Sequence, residues 1–313
     1  LKEKIIMCIC INPDCVNLNI DLNNSDRYCK SCNNDLLLQN RYRVISLLHD
    51  ESGYSTIYIV DDAGIEKVLK VLRPHRSKNP RVRYLFRQEA DILREMDHSG
   101  FPKVDGYFQQ KLNNGKILYC IVMEKIEGCN LETYVDNHNF ITQEIALEWL
   151  EKAVVILNEL HRHKYLHRDI KPPNLILREN GELVLIDFGA ATRKTFFYGK
   201  IYINIIYMLM LLLEKDIKGD GFRAPEQERR YCRYHSDFYS LARCFVYYLT
   251  KKSPADDNMY DEKHNLQWRQ YTVNISNDLL NLIDKMMAYR IKDRYENGEE
   301  ILKEIKKIKA NSF

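Results

Sequence analysis

Apolar residues in the first third of the chain fall in short runs of strand length. Residues 42–48, 54–60 and 65–72 read as strands, with Asp62-Ala63-Gly64 as a turn. The period then changes. Val82, Leu85, Phe86, Leu93 and Met96 recur at helical spacing across residues 82–96. Residues 117–123 return to a strand pattern. Beyond Thr142, a residue type that caps helices, Ala146, Leu150, Ala153, Val154, Leu157 and Leu160 mark one face of a long helix. Leu175-Ile176-Leu177 and Leu183-Val184-Leu185-Ile186 flank Asn180-Gly181, the favoured two-residue loop of a tight hairpin.

Two charges break this pattern. Lys70 interrupts Val68-Leu69-Lys70-Val71-Leu72, and Glu89 lies on the apolar stripe of residues 82–96. A buried charge needs a partner of opposite sign, so the two are expected to pair. The hairpin also carries a prediction. With Asn180 and Gly181 as its turn, Glu179 faces Glu182, Arg178 faces Leu183, and Asn174 lies opposite Asp187, about 5 Å away. An amide oxygen beside a carboxylate suits a hard, oxygen-loving cation such as Mg²⁺. Asp169 and Lys171 lie on the loop entering the first strand.

The chain has 313 residues, enough for two lobes, and 45% of them are apolar, enough for a full core. A net charge of +3 gives no argument for nucleic acid as a partner. No segment has a signal-peptide pattern, and a cytoplasmic location is expected. Five of the nine cysteines fall within the first 32 residues, which favours metal binding over disulfides. Cys10-x4-Cys15 and Cys29-x2-Cys32, 13 residues apart, can supply four thiolates to a tetrahedral Zn²⁺, with Cys8 as a spare. The segment lacks the basic stripe of a zinc-ribbon nucleic-acid binder. No transmembrane span is expected, because the apolar run 201–213 is too short to cross a bilayer.

His167-Arg168-Asp169-Ile170-Lys171-Pro172-Pro173-Asn174, followed by Asp187-Phe188-Gly189, resembles the signature of eukaryotic-like (Hanks-type) serine/threonine protein kinases. The resemblance runs from about residue 41 to 308. It implies an α+β, two-lobed kinase fold, with a small β-rich N-lobe at 41–126 and a larger helical C-lobe at 127–309. Cys10-Ile11-Asn12-Pro13-Asp14-Cys15 with Tyr28-Cys29-x-x-Cys32 resembles the 4-Cys prefix of cyanobacterial-type kinases, here a zinc-ribbon-like segment at 1–40. The implied reaction is γ-phosphoryl transfer from ATP, with Mg²⁺ or Mn²⁺, to serine or threonine of protein substrates. The resemblance assigns Asp169 as catalytic base, Lys171 as the cation at the moving phosphoryl group, and Asn174 and Asp187 as metal ligands. It assigns Lys70 and Glu89 to placing the nucleotide phosphates. Gly53, Val68, Glu124, Ile126 and Ile176 complete the nucleotide set, with Met123 as gatekeeper. Ala224-Pro225-Glu226, with Arg294 as its partner, and Asp237 take supporting roles.

Several positions depart from the family pattern. The phosphate-covering loop, Asp50-Glu51-Ser52-Gly53-Tyr54-Ser55, holds one glycine where the family has three, so weakened ATP affinity is expected. Lys218-Gly219-Asp220-Gly221-Phe222 lacks the family's threonine. Arg168 is suited to pair with a phosphate on Thr192, Thr195 or Tyr198. The stretch from Asp187 to Glu226 is long because of an apolar insertion at about 200–217. That insertion reads as a packed helix, a partner or membrane contact through 201–213, or a sequence artefact. These departures support an alternative, a pseudokinase that acts as a binding or scaffold protein.

Overall fold

Strand periodicity in the first third produces a single antiparallel sheet. The computed structural model describes residues 8–16, 26–50, 53–138, 140–193, 221–228 and 231–311. The chain divides into two units: residues up to Arg94 with Pro102–Lys125, and Glu95–Phe101 with Ile126 onward. The expected insertion at 200–217, Thr195, Tyr198, Glu51 and Ser52 lie outside the described residues.

In the first unit β1 (Leu37–Leu38), β2 (Tyr42–His49), β3 (Ser55–Asp62), β4 (Ile65–Leu72), β5 (Val104–Lys111) and β6 (Ile117–Glu124) form a six-stranded sheet. Its order is β1-β2-β3-β4-β6-β5. Asp62 pairs with Ile65, which leaves Ala63 (φ +52°) and Gly64 (φ +91°) as a two-residue turn with both residues left-handed. The Asp61 carboxylate accepts the Gly64 N–H at 3.0 Å and helps hold Ala63 in that conformation.

Alternation along β4 gives it two faces. Leu69 and Val71 join Val44, Val60, Leu118, Cys120 and Val122 in a core that also contains Ile11 of the cysteine-bearing segment. Between them, Lys70 reaches Glu89 of α2 (Pro80–Glu95), which follows the short α1 (Pro74–Ser77). The described part of the prefix is tied to the sheet as well as packed on it. The Ile9 N–H donates to the Val44 carbonyl at 2.9 Å, the Asn113 N–H to Asn34 Oδ1 at 2.7 Å, and Lys116 pairs with Asp14 at 2.6 Å.

The second unit is mainly helical. It contains β7 (Cys129–Asn130), α3 (Leu131–Asn137), α4 (Gln143–Arg162), β8 (Tyr165–Leu166), β9 (Leu175–Leu177), β10 (Leu183–Leu185) and β11 (Thr192–Arg193). After them come α5 (Pro225–Glu228), α6 (Tyr234–Thr250), α7 (Asn277–Met286) and α8 (Gly298–Asn311). Thr142 caps α4 as expected, accepting the Ile145 N–H at 3.4 Å. The apolar face of α4 is buried from Ala146 to Leu160, and the helix packs on α6 and α8. Among the described residues no helix is long and apolar enough to cross a membrane.

The hairpin differs from expectation by one residue. Leu183 pairs with Leu177, Val184 with Ile176 and Leu185 with Leu175. The loop therefore holds three residues, Glu179, Asn180 and Gly181, between Arg178 and Glu182. The Arg178 N–H donates to Glu182 O and the Gly181 N–H to Arg178 O, each at 2.9 Å, with Gly181 left-handed at φ +82°. Asn174 consequently faces Ile186, whose N–H donates to the Asn174 carbonyl at 2.9 Å. Asp187 is one position further along, so the expected Asn174–Asp187 register pair does not form.

Candidate active site

In the β-rich unit, Lys70 Nζ donates to both carboxylate oxygens of Glu89, at 2.9 and 3.0 Å. Glu89 is only 2% exposed. The expected pair therefore forms, and the period change from strand to helix is what brings it together. Val68 is half-buried on β4 and pairs with Met123 on β6. The Glu124 N–H donates to the Lys103 carbonyl at 2.7 Å.

Gly53 is exposed, and basic side chains hold its loop. Arg76 Nε donates to the Gly53 carbonyl at 3.0 Å, and Arg73 donates to Asp50 Oδ1 at 2.9 Å. Sequence reasoning missed this clamp. Arg73 and Arg76 follow β4 with no periodic signal to announce them.

In the helical unit, the loop after β8 hangs from one buried carboxylate. Asp237, 1% exposed near the start of α6, accepts the backbone N–H of His167 at 3.0 Å and of Arg168 at 2.8 Å. His161 Nε2 lies 2.8 Å from the same carboxylate. Burial opposes the charge on Asp237, but the hydrogen bond and charge of His161 and the Arg168 N–H outweigh it and lower its pKa. This grip holds Arg168 in the left-handed region, at φ +70°. Gln227 adds a second anchor, donating to the Arg168 carbonyl at 3.0 Å while accepting the Ala224 N–H at 2.9 Å.

His167 is fully buried, and burial pushes its imidazole below the usual value. Its contacts suit the neutral ring. Nδ1 accepts the Asp169 N–H at 3.3 Å, and Nε2 lies 3.2 Å from the Ile186 carbonyl, to which it can donate. Phe188 stacks edge-on to His167 with centroids 4.7 Å apart.

Three polar residues assemble at this loop. Lys171 Nζ lies 3.0 Å from Asp169 Oδ2. Asn174 Nδ2 donates to the Asp169 carbonyl at 2.9 Å and to Asp169 Oδ2 at 3.2 Å. Both bonds use the amide nitrogen, which leaves the amide oxygen out of them. Asp187 is exposed, left-handed at φ +63°, and accepts the Gly189 N–H at 3.4 Å. Amide oxygen and carboxylate are the donor types that Mg²⁺ takes. Ile126 and Ile176 are half-buried in the same unit. Glu226 and Arg294 form the expected pair, at 2.7 and 3.0 Å. Arg168 Nη1 reaches Thr192 Oγ1 at 3.5 Å.

Residues 52–307 match the protein kinase domain family. The chain belongs to the protein kinase family. Similar relatives include serine/threonine-protein kinase B of Synechocystis sp., 29% identical over 95% of this chain, and serine/threonine-protein kinase F of the same organism, 30% identical over 97%. Serine/threonine-protein kinase PknA of Nostoc sp. is 31% identical over 85% of the chain. The kinase chain spans 51%, 64% and 47%, respectively, of the lengths of these relatives.

The chain also carries its cysteine cluster as a compact group. The Sγ atoms of Cys10, Cys15, Cys29 and Cys32 all lie within 4.8 Å of one another. Cys10 and Cys32 are 3.5 Å apart, and Cys15 and Cys29 are 3.7 Å apart. A Zn–S bond near 2.3 Å in a tetrahedron requires sulfurs about 3.8 Å apart, so the four residues fit a zinc ion. Burial opposes ionisation of Cys32, but hydrogen bonds from Asn12 and Asn34 outweigh it and bring the thiol down to about 6. The fifth cysteine, Cys8, is outside the cluster and accepts from Arg43 Nη1 at 3.7 Å.

Proposed function

We propose that this chain is a serine/threonine protein kinase that transfers the γ-phosphoryl group of ATP to protein hydroxyls. One observation carries the reading: the Asp169 carboxylate is held between Lys171 Nζ and Asn174 Nδ2 on a loop braced by Asp237. Asp169 accepts the proton of the attacking hydroxyl. The new P–O bond forms as the bond to the β-phosphate oxygen breaks and ADP leaves. Lys171 offsets the charge on the moving group. Asn174 and Asp187 hold Mg²⁺ or Mn²⁺, which supplies neutralisation of phosphate charge. Lys70, oriented by Glu89, steadies the phosphates. Gly53, Val68, Glu124, Ile126 and Ile176 line the nucleotide. Catalysis is then mostly positioning and electrostatics. Lys171, two residues after Asp169, is the family's serine/threonine-type residue. The four cysteines hold a structural Zn²⁺.

The test is autophosphorylation by the purified chain with γ-labelled ATP and Mg²⁺. Label transfer by the wild type and its loss in Asp169→Asn are expected. A folded, metal-loaded wild type that transfers no label would favour the second reading, a pseudokinase acting as a binding protein. The clamp of Arg73 and Arg76 on the single-glycine loop is the observation that supports that reading.

A further inference from the structure

We propose that the β-rich unit carries a binding pocket for a small amphipathic anion, an apolar carboxylate or sulfonate, and that Asp50 is its built-in competitor. A cavity of about 330 Å³ lies between the cysteine-bearing segment and the sheet. Ile11, Leu47, Val71 and Leu118 are among its apolar walls, and Thr56 and Arg73 are among its polar groups. Small-molecule sites share its size and its convergent polar groups: roughly 300–1,000 Å³ of space with a few polar groups set among apolar walls.

The anion's place is marked by a side chain of the protein. Asp50 Oδ1 accepts from Thr56 Oγ1 at 2.8 Å and from Arg73 Nη2 at 2.9 Å. A guanidinium and a hydroxyl converging on one carboxylate oxygen form an anion-recognition pair. Asp50 is half-exposed and brings no apolar body into the cavity, and ion pairs this open are weak. A ligand that presents its own carboxylate or sulfonate to Arg73 while covering the exposed Leu47 and Pro13 of the same cavity gains what Asp50 cannot. Binding therefore exchanges one anionic group for another at Arg73 and displaces the Asp50 carboxylate, while Arg73 also donates to the Asp50 backbone carbonyl.

This exchange predicts opposite effects from two neighbouring substitutions. The probe is 1-anilinonaphthalene-8-sulfonate, titrated into the metal-loaded full chain and followed by fluorescence. Octanoate serves as a competing carboxylate and octanol as its uncharged counterpart. Saturable binding of one probe per chain, displaced by octanoate, is expected. Arg73→Gln should weaken the probe about tenfold, as loss of one charged partner does. Asp50→Asn should tighten it at least about threefold by removing the competitor. Leu47→Trp, which fills the cavity from an exposed position, should abolish saturation. Octanol affinity should not change in Arg73→Gln. Far-UV circular dichroism confirms that each variant is folded. Non-saturating binding, or equal effects of Arg73→Gln and Asp50→Asn, would overturn the proposal. The readout uses no nucleotide, so it stands or falls independently of phosphoryl transfer.

Discussion

Replacing Asp237 with asparagine tests the brace under the loop that carries Asp169. Oδ2 of Asp237 accepts from His161 and the His167 N–H, and Oδ1 accepts from the Arg168 N–H. Asparagine has one oxygen. Whichever way its amide is turned, its NH2 group faces a backbone N–H that lies 3.0 or 2.8 Å from the carboxylate in the parent structure. One charged hydrogen bond is lost, about 1.5–3 kcal/mol, and one buried donor is stranded, about 1–3 kcal/mol. The expected loss is about 4 kcal/mol. Urea unfolding followed by tryptophan fluorescence isolates the effect, because both tryptophans of the chain, Trp149 and Trp268, lie buried in the helical unit. With a slope of about 2 kcal/mol per molar urea, the midpoint should fall by about 2 M. The acid limb should change too. The folded pKa of Asp237 lies below its unfolded value of about 3.9, so its stabilisation is complete above that pH and is lost as pH falls further. The variant should lack this loss. A midpoint within about 0.5 M of wild type would refute the bracing role.

Metal removal should act on the other unit. Chelation, or Cys32→Ser, should release about one zinc per chain and lower the thermal transition seen by far-UV circular dichroism, while the tryptophan-detected transition stays in place. Lys70→Met takes the lysine cation away from a carboxylate that is 2% exposed and should cost the β-rich unit about 3 kcal/mol, with the double variant Lys70→Met/Glu89→Leu recovering most of it in the same melt. His167 has a folded pKa below its unfolded value of about 6.5, so its contribution is complete above pH 6.5 and declines as pH falls below it. The tryptophan-detected urea midpoint should therefore drop between about pH 6.5 and 5, and a rise would contradict the neutral buried ring.

Much of the fold was legible because the hydrophobic period is strong. The three strands from 42 to 72, the stripe bearing Glu89 and the long helix after Thr142 all appear, and the lysine that interrupts β4 meets its carboxylate. The hairpin register was not legible. Asn180-Gly181 locally favours a two-residue turn, but tertiary bonds select the other register. The Leu185 N–H donates to the Gly100 carbonyl at 2.9 Å, and Lys152 Nζ donates to the Gly181 carbonyl at 2.7 Å. Neither partner is near the hairpin in sequence. The same reason hid His161, Gln227 and the arginine clamp. Each is an ordinary polar residue in its own neighbourhood and gains its role only from residues brought to it by folding. The cluster of Asp169, Lys171 and Asn174 was easier, because the three are spaced within one short loop.

The apolar side of the sheet has a practical consequence for anyone trimming the gene. A fragment starting at Arg41 keeps every strand from β2 onward but deletes Ile9, Ile11 and Leu38, which pack with Val44, Val60, Leu69, Val71 and Val122. One starting at residue 52 removes β2 as well and unzips the edge of β3. Either truncation would leave a greasy, unpaired surface, and recombinant material would collect in inclusion bodies.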